Sequence, residues 1–441
     1  IFGFWRLSSL IEKYFDLKEN GTNVRTEVIA GFTTFLTMVY IVIVNPAILS
    51  AAGVPFEQVF VATIIAAAIG TLMMGLFAKY PIAIAPGMGL NAYFTSVVIT
   101  QGLSYEAVFG TVFLAGIFII ILSLTKLRRL LIEAIPDPLK YGITAGIGLF
   151  IAFIGLQMAG IVQPSTETLV TLGDLTNPIA ALAIAGLLIT LVLMVKKVTG
   201  ALFLGMLITA IIGFAFNLLH FDGVFALPPS LEFIPIGLAV EGVIANGLYA
   251  VVFAFVLVTI FDSTGTLVGV SEQAGLMKNG KLTRTKQATL SDAVATTVGA
   301  SLGTSPSCAY IESSSGVAAG GRTGLTSVVV GLLFLVALFF SPAIMAISSL
   351  PAITAPILII VGCFMMEGLA KINWKNFDES FPAFAVILAM PLTYSIATGI
   401  AIGFITYPIL KVVNGKAKEV HPLIYVFGVI FLIQMIFFPA H

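Results

Sequence analysis

Long apolar runs alternate with short polar breaks along this chain, and that alternation sets its architecture. From Glu27 to Pro439 the runs recur at about the 20 residues an α-helix needs to cross the hydrocarbon of a bilayer. Spans are predicted near 27–49, 57–78, 82–99, 104–124, 138–157, 177–195 and 200–219. A second set follows near 246–268, 287–302, 304–320, 323–346, 352–369, 382–396 and 398–413. That makes fourteen, and the polar stretches between them leave no room for a soluble domain. Residues 422–438 are apolar enough for a fifteenth span, but we read them as a non-spanning or partly inserted helix.

Composition agrees with the pattern. Of 441 residues, 59% are hydrophobic and 10% charged, where a soluble protein carries roughly 25% charged. Where the charges fall is more informative than their balance. With the N-terminus on the cytoplasmic side, all 21 Lys and Arg lie in inner loops, as the positive-inside rule requires. One miscounted span would invert every later loop, so the distribution supports the whole count. The first residues, with Arg6, Glu12 and Lys13, read as an amphipathic interfacial helix rather than a cleaved signal. Cys308 and Cys363 both fall in apolar runs, which argues against a disulfide framework.

The two halves echo each other. Pro86 in APGMGLNAYF matches Pro306 in SPSCAYIESSSG at an offset of 220; Asn91 pairs with Glu312 at 221 and Asn45 with Asp262 at 217. Seven spans per half is an odd number, so the second half enters from the opposite face and the repeats are inverted. A transporter built this way holds its site at the repeat interface, on broken helices. The segments at 82–99 and 304–320 fit that role. Each is interrupted by Pro or Gly, and irregular backbone at membrane depth is tolerated only when buried in protein or lining a cavity.

Three acids fall well inside apolar runs: Asp262, Asp292 and Glu312. Asp292 lies closest to the basic loop with Lys281, Arg284 and Lys286, and an ion-pair or helix-end role explains it. Asp262 and Glu312 have no mid-span Lys or Arg. A carboxylate at the bilayer centre costs about 2.5–3.5 kcal/mol on insertion scales, so each must be held neutral, meet a cation or meet a ligand that donates hydrogen bonds. Adjacent N–H groups of a heterocyclic amide suit a carboxylate well, and the other acid is then free to carry a coupling proton. Thr266 shares a helix face with Asp262 at i+4. Asn91 offers both donor and acceptor to an amide or purine edge. Phe94, Tyr93, Phe261 and Tyr310 are candidates for stacking on a flat ring, although each taken alone reads first as packing. GITAGIG at 142–148 lacks any βαβ context and reads as helix packing rather than a nucleotide loop. The three histidines have no partner spacing, so no metal site is expected.

APGMGLNAYF, TIFDSTGT and SPSCAYIESSSG together resemble the adenine/guanine/hypoxanthine permeases, a branch of the nucleobase–cation symporter 2 family. NGTNVRTEVIAGFTTFLTMVYIVIVNP, residues 20–46, is also characteristic, and the resemblance spans essentially the whole chain. It implies an all-α polytopic fold of fourteen segments in seven-plus-seven inverted repeats, with segments 3 and 10 each a short strand plus a half-helix. Segments 1–4 (27–124) and 8–11 (246–346) would form a core domain. Segments 5–7 (138–219) and 12–14 (352–413) would form a gate domain. They would be flanked by a cytoplasmic N-terminal segment (1–26) and a C-terminal apolar helix (414–441). By position, Asp262 and Glu312 are the acids of segments 8 and 10, and Asn91 is the polar residue of segment 3. Uracil-transporting relatives carry Glu where this chain has Asp262 and His where it has Thr266, which fits a different ring.

The expected protein is a non-enzymatic plasma-membrane importer of purine bases, guanine and hypoxanthine above all. Its coupling ion is H⁺, it needs no other cofactor, and the core moves against the gate. Homodimers through the gate domains are implied, and nucleic acid is not an expected partner. Transport of xanthine or uracil and an anion carrier of the same fold are the alternatives. An intramembrane aspartyl enzyme would also place acids in a membrane, but no motif for it is present; a channel is a third alternative, distinguished by flux that does not saturate.

Overall fold

The computed structural model describes residues 10–437 except 126, 222, 279 and 280; the N-terminal stretch with Arg6 and the last four residues lie outside that description. Among the described residues nine helices are long and apolar enough to cross a membrane: Val24–Ser50, Phe56–Ala78, Tyr105–Leu124, Asp137–Met158, Pro178–Val195, Tyr249–Gln273, Gly324–Ser348, Pro351–Lys371 and Ile396–Val413. They are segments 1, 2, 4, 5, 6, 8, 11, 12 and 14 of the count above. Segments 7 (Ala201–Ala215), 9 (Thr285–Leu302) and 13 (Phe377–Thr393) are shorter or more polar helices. Segments 3 and 10 are the broken ones. Strand β1 (Ile84–Pro86) leads into helix Met88–Gln101, and strand β2 (Ser307–Ala309) leads into the short helix Ser313–Ala318.

Local sequence explains where the helices begin. Asn23 starts segment 1 by accepting the Thr26 N–H at 3.0 Å, and Ser104, Asn177, Thr323 and Ser395 cap segments 4, 6, 11 and 14 in the same way. Segment 1 is not continuous. It breaks between Val24–Met38 and Ile41–Ser50, with Tyr40 at the junction.

Helix packing divides the chain into two groups. Segment 2 packs on 9 and 11, segment 4 on 8 and 9, and segment 1 on 10 and 11. Segment 5 packs on 12 and 13, segment 6 on 7 and 12, and segment 13 on 14. Small residues bring these helices close, since lipid offers no hydrophobic drive for their association. In the 142–148 run, a Cβ added at Gly148 would stand 2.6 Å from the Gly362 carbonyl oxygen, and one at Gly362 would stand 2.4 Å from that of Gly148. The helix-packing reading of this run agrees with that geometry.

At the centre, β1 and β2 pair antiparallel, Ile84 opposite Ala309 and Pro86 opposite Ser307. Two inverted copies of one motif meet in this way across a pseudo-two-fold axis. Gly87 N–H donates to the Pro306 carbonyl and Tyr310 N–H to the Ala83 carbonyl, both at 2.9 Å. These bonds satisfy backbone that would otherwise be stranded in a medium without water.

Among the described residues, helices Leu127–Ala134, Ile236–Ala245 and Pro422–Phe437 lie outside the fourteen segments. Ile236–Ala245, absent from the sequence reading, precedes segment 8 and packs on segment 4 at Gly110; ten residues rise only about 15 Å, too short to span. The C-terminal helix Pro422–Phe437 lies against segments 8 and 14, where Phe427 and Phe431 meet Phe253 and Phe404.

Candidate functional site

The strand crossing places the starts of both half-helices beside the middle of segment 8. A cavity of 580 Å³ lies there, lined by Tyr40 of segment 1, Met88 and Gly89 of segment 3, Asp262 and Thr266 of segment 8, and Cys308 through Glu312 of segment 10. Leu202 and Val361–Glu367 close it from the other packing group. The cavity therefore lies at the junction of the two groups. It reaches solvent near Cys363, Phe364 and Glu367, which are exposed. No Lys or Arg is among the described residues lining it.

Of the seven residues expected at the site, Asp262, Glu312, Thr266 and Tyr310 line this cavity together. Asp262 and Thr266 project from one face of segment 8, as their spacing requires. Phe261 borders a narrow neighbouring recess with Asp262, Gly89 and Ile147. The Tyr310 hydroxyl donates to the Pro86 carbonyl, which holds its ring at the strand crossing.

Asn91 and Phe94, also expected at the site, do not line the cavity. Met88 and Gly89 do, at the start of the helix, whereas Asn91 lies further along it in the core. Phe94, three residues further on, shares the Asn91 side. Asn91 is fully buried and donates its amide to Asn45 Oδ1 at 3.0 Å. Asn45 in turn donates to Thr63 at 2.7 Å and Thr304 at 2.8 Å. Phe94 stacks in the core on Phe109, ring centroids 4.4 Å apart. The repeat mates of the two acids thus bond each other inside the protein, whereas the acids themselves face open space.

Two lining residues that touch the acids were not anticipated. Tyr40, buried at the break in segment 1, donates its hydroxyl to Glu312 Oε1. The sequence signal was its place one residue before IVIVNPAIL, the stretch already paired with the Asp262 motif. Cys308 lies within hydrogen-bonding reach of Asp262. The acids are therefore not equivalent: Glu312 has a phenol donor and Asp262 a thiol neighbour. Asp292 is buried on segment 9 and does not line the cavity.

The profile described as "Permease family" matches residues 25–402. The chain belongs to the permease family. Guanine/hypoxanthine permease PbuO of Bacillus subtilis is 59% identical over 431 residues, 96% of this chain and 99% of that protein. Adenine permease AdeP of Escherichia coli is 44% identical, covering 98% of this chain and 97% of its own length. Guanine/hypoxanthine permease PbuG of Bacillus subtilis is 47% identical, covering 97% and 100%. These relatives come from the purine-permease branch to which the three motifs pointed. Among solved structures, the transmembrane domain of the cyanobacterial bicarbonate transporter BicA superposes with a TM-score of 0.65 at 18% identity, covering 86% of this chain and 97% of that one. SLC26A9 superposes with the same score at 11% identity, covering 93% and 69%. This permease shares their inverted-repeat fold and is a multi-pass membrane protein.

Proposed function

We propose that this permease imports purine bases, guanine and hypoxanthine in particular, together with protons. One observation carries the reading: carboxylates from two different segments, Asp262 of the continuous segment 8 and Glu312 of the broken segment 10, share a cavity with no Lys or Arg among the described residues of its lining. A neutral base with ring N–H groups satisfies two such acids, and charge-assisted hydrogen bonds of this type are strong. An anion would be repelled by them. The volume lies within the 300–1,000 Å³ usual for small-molecule sites. The helix beginning at Met88 directs its first N–H groups toward the same space, where a base carbonyl would accept them. The identities of the relatives support the same substrate class.

In this reading the segment 1–4 and 8–11 group is the core and the other group the gate. The exposed mouth beside Glu367 lies near Lys371 and Lys375, in a loop the positive-inside rule assigns to the cytoplasm. The structure then corresponds to an inward-open state, and the core rocks or slides against Leu202 and Val361–Met365 to expose the acids outward.

Labelled hypoxanthine uptake, competed by guanine, adenine, xanthine and uracil with and without an uncoupler, tests the proposal. Inhibition by guanine and collapse with uncoupler are expected. Inhibition by uracil alone would move the chain to pyrimidine transport, and an absence of saturable base uptake would leave an anion carrier of the same fold. Asp262→Asn and Glu312→Gln should each lower uptake at least tenfold with membrane expression intact; wild-type uptake by both would remove the site assignment.

A further inference from the structure

Glu312 borders a second cavity as well as the first. This space of 350 Å³ lies on the other flank of the segment 10 helix, between segment 1 and the loop joining segments 6 and 7. Its walls include Thr33 and Thr37, Ser315 and the Lys197–Leu202 stretch. It reaches the surface at Lys197, Thr199 and Ala318, which are exposed. Leu202 and Glu312 border both cavities. Asp262, Thr266 and Met88, which the proposed base would contact, line only the first. Thr37 ties the two regions together: its hydroxyl donates to the Thr34 carbonyl at 2.8 Å and lies 3.4 Å from the Glu312 carbonyl.

We infer that the second cavity is a proton exit for Glu312, separate from the path the base takes. The inference rests on the proton-coupled reading above and adds a route to it. The carboxyl O–H of Glu312 breaks, water entering past Ser315 and Thr37 takes the proton, and the electron pair stays on the carboxylate. The hydroxyls of Thr33, Thr37 and Ser315 suit a short water chain, since each both donates and accepts. Tyr40 of segment 1, Asp262 of segment 8, and Cys308 and Tyr310 of segment 10 are the titratable groups acting on Glu312 from the packed elements. Lys197 belongs to the second cavity and Glu367 to the first. Two routes meeting at one acid allow the proton to leave while the base still occupies its cavity.

Filling the second cavity separates proton release from base movement. Base-for-base exchange keeps the proton on the carrier, whereas net uptake requires its release. Purified Ser315→Leu protein in liposomes should bind hypoxanthine within about twofold of wild type and retain hypoxanthine counterflow. Its net, proton-gradient-driven uptake should fall at least tenfold, and Ser315→Ala should behave as wild type. Thr33→Leu fills the cavity from the opposite wall and should show the same split. Net uptake equal to wild type in both Leu variants would overturn the inference. Loss of hypoxanthine binding in both would overturn it too, by making the cavity part of the base site. Failure of the proton-symport reading is visible separately, as wild-type uptake that an uncoupler does not touch.

Discussion

Gly316→Ala probes the contact that sets the position of Glu312. The segment 10 helix lies so close to segment 1 that a Cβ at Gly316 would stand 2.0 Å from Thr34 Oγ1 and 2.7 Å from the Ala30 carbonyl oxygen. Ordinary contact begins at 3.4 Å, so the methyl is short of room by 1.4 Å and 0.7 Å. The carbonyl belongs to a helix backbone and has little freedom to move. The short helix must therefore shift outward by several tenths of an ångström, which draws Glu312 away from the Tyr40 hydroxyl. Overpacking of this kind costs about 1–3 kcal/mol of fold stability, and weakening the hydrogen bond from Tyr40 to Glu312, about 1.5–3 kcal/mol for a charged group, should lower hypoxanthine binding roughly tenfold. Thr34 Oγ1 has no hydrogen-bond partner among the described residues, so Thr34→Ala alone should stay near wild type. Combined with Gly316→Ala it removes the worse of the two clashes and should restore at least threefold of the lost affinity. Equilibrium binding to detergent-solubilised protein, measured as a double-mutant cycle, gives the answer. Wild-type binding by Gly316→Ala, or a double variant no better than the single one, would refute the argument.

Tyr40→Phe removes the hydroxyl donor to Glu312 and keeps the ring. A hydrogen bond to a charged group contributes about 1.5–3 kcal/mol, so kcat/KM for hypoxanthine should drop at least tenfold, and unchanged kinetics would remove Tyr40 from the site. Asn91→Ala should lower thermal stability by about 1–3 kcal/mol, the cost of leaving buried Asn45 short of a donor, with base affinity near wild type. Lost affinity at unchanged Tm would return Asn91 to the ligand. Lys411, 2% exposed, meets Glu379 at 2.9 Å, Glu419 at 3.1 Å and Asp378 at 3.6 Å. Lys411→Met removes the shared cation, but Asp378 keeps Lys416 and Asn414, both at 3.0 Å, so a thermal-unfolding series should show a loss of about 1–3 kcal/mol; a Tm unchanged from wild type would mean the cluster adds nothing.

Much of this architecture was legible because the bilayer permits so few solutions. Hydrophobic length marks a span whatever its partners are, and Pro86, Gly87 and Pro306 mark backbone that cannot run on as helix. Asp262 and Thr266 line the same cavity because both lie on one regular helix, where spacing alone defines a face. Asn91 and Phe94 lie away from that cavity for the complementary reason. Their helix starts afresh after β1, and its rotation depends on the pairing of Pro86 with Ser307, a contact between residues more than 200 positions apart. Tyr40 was hidden because its role comes from a break in segment 1 that carries no Gly or Pro at the junction itself. The helix Ile236–Ala245 was missed because ten residues are too few for a hydropathy signal of a span.

The strand crossing also has a consequence for how the chain is made. Tyr310 and Pro86, joined by a hydrogen bond, are 224 residues apart. At about 5–20 residues per second, β1 is synthesised roughly 10–45 s before the strand that satisfies its backbone. Through that interval the first repeat carries an open strand edge into or beside the membrane with no partner of its own. A nascent chain stalled between the two repeats should therefore stay bound to the insertion machinery rather than pass into lipid, and its release should wait for the second strand to emerge.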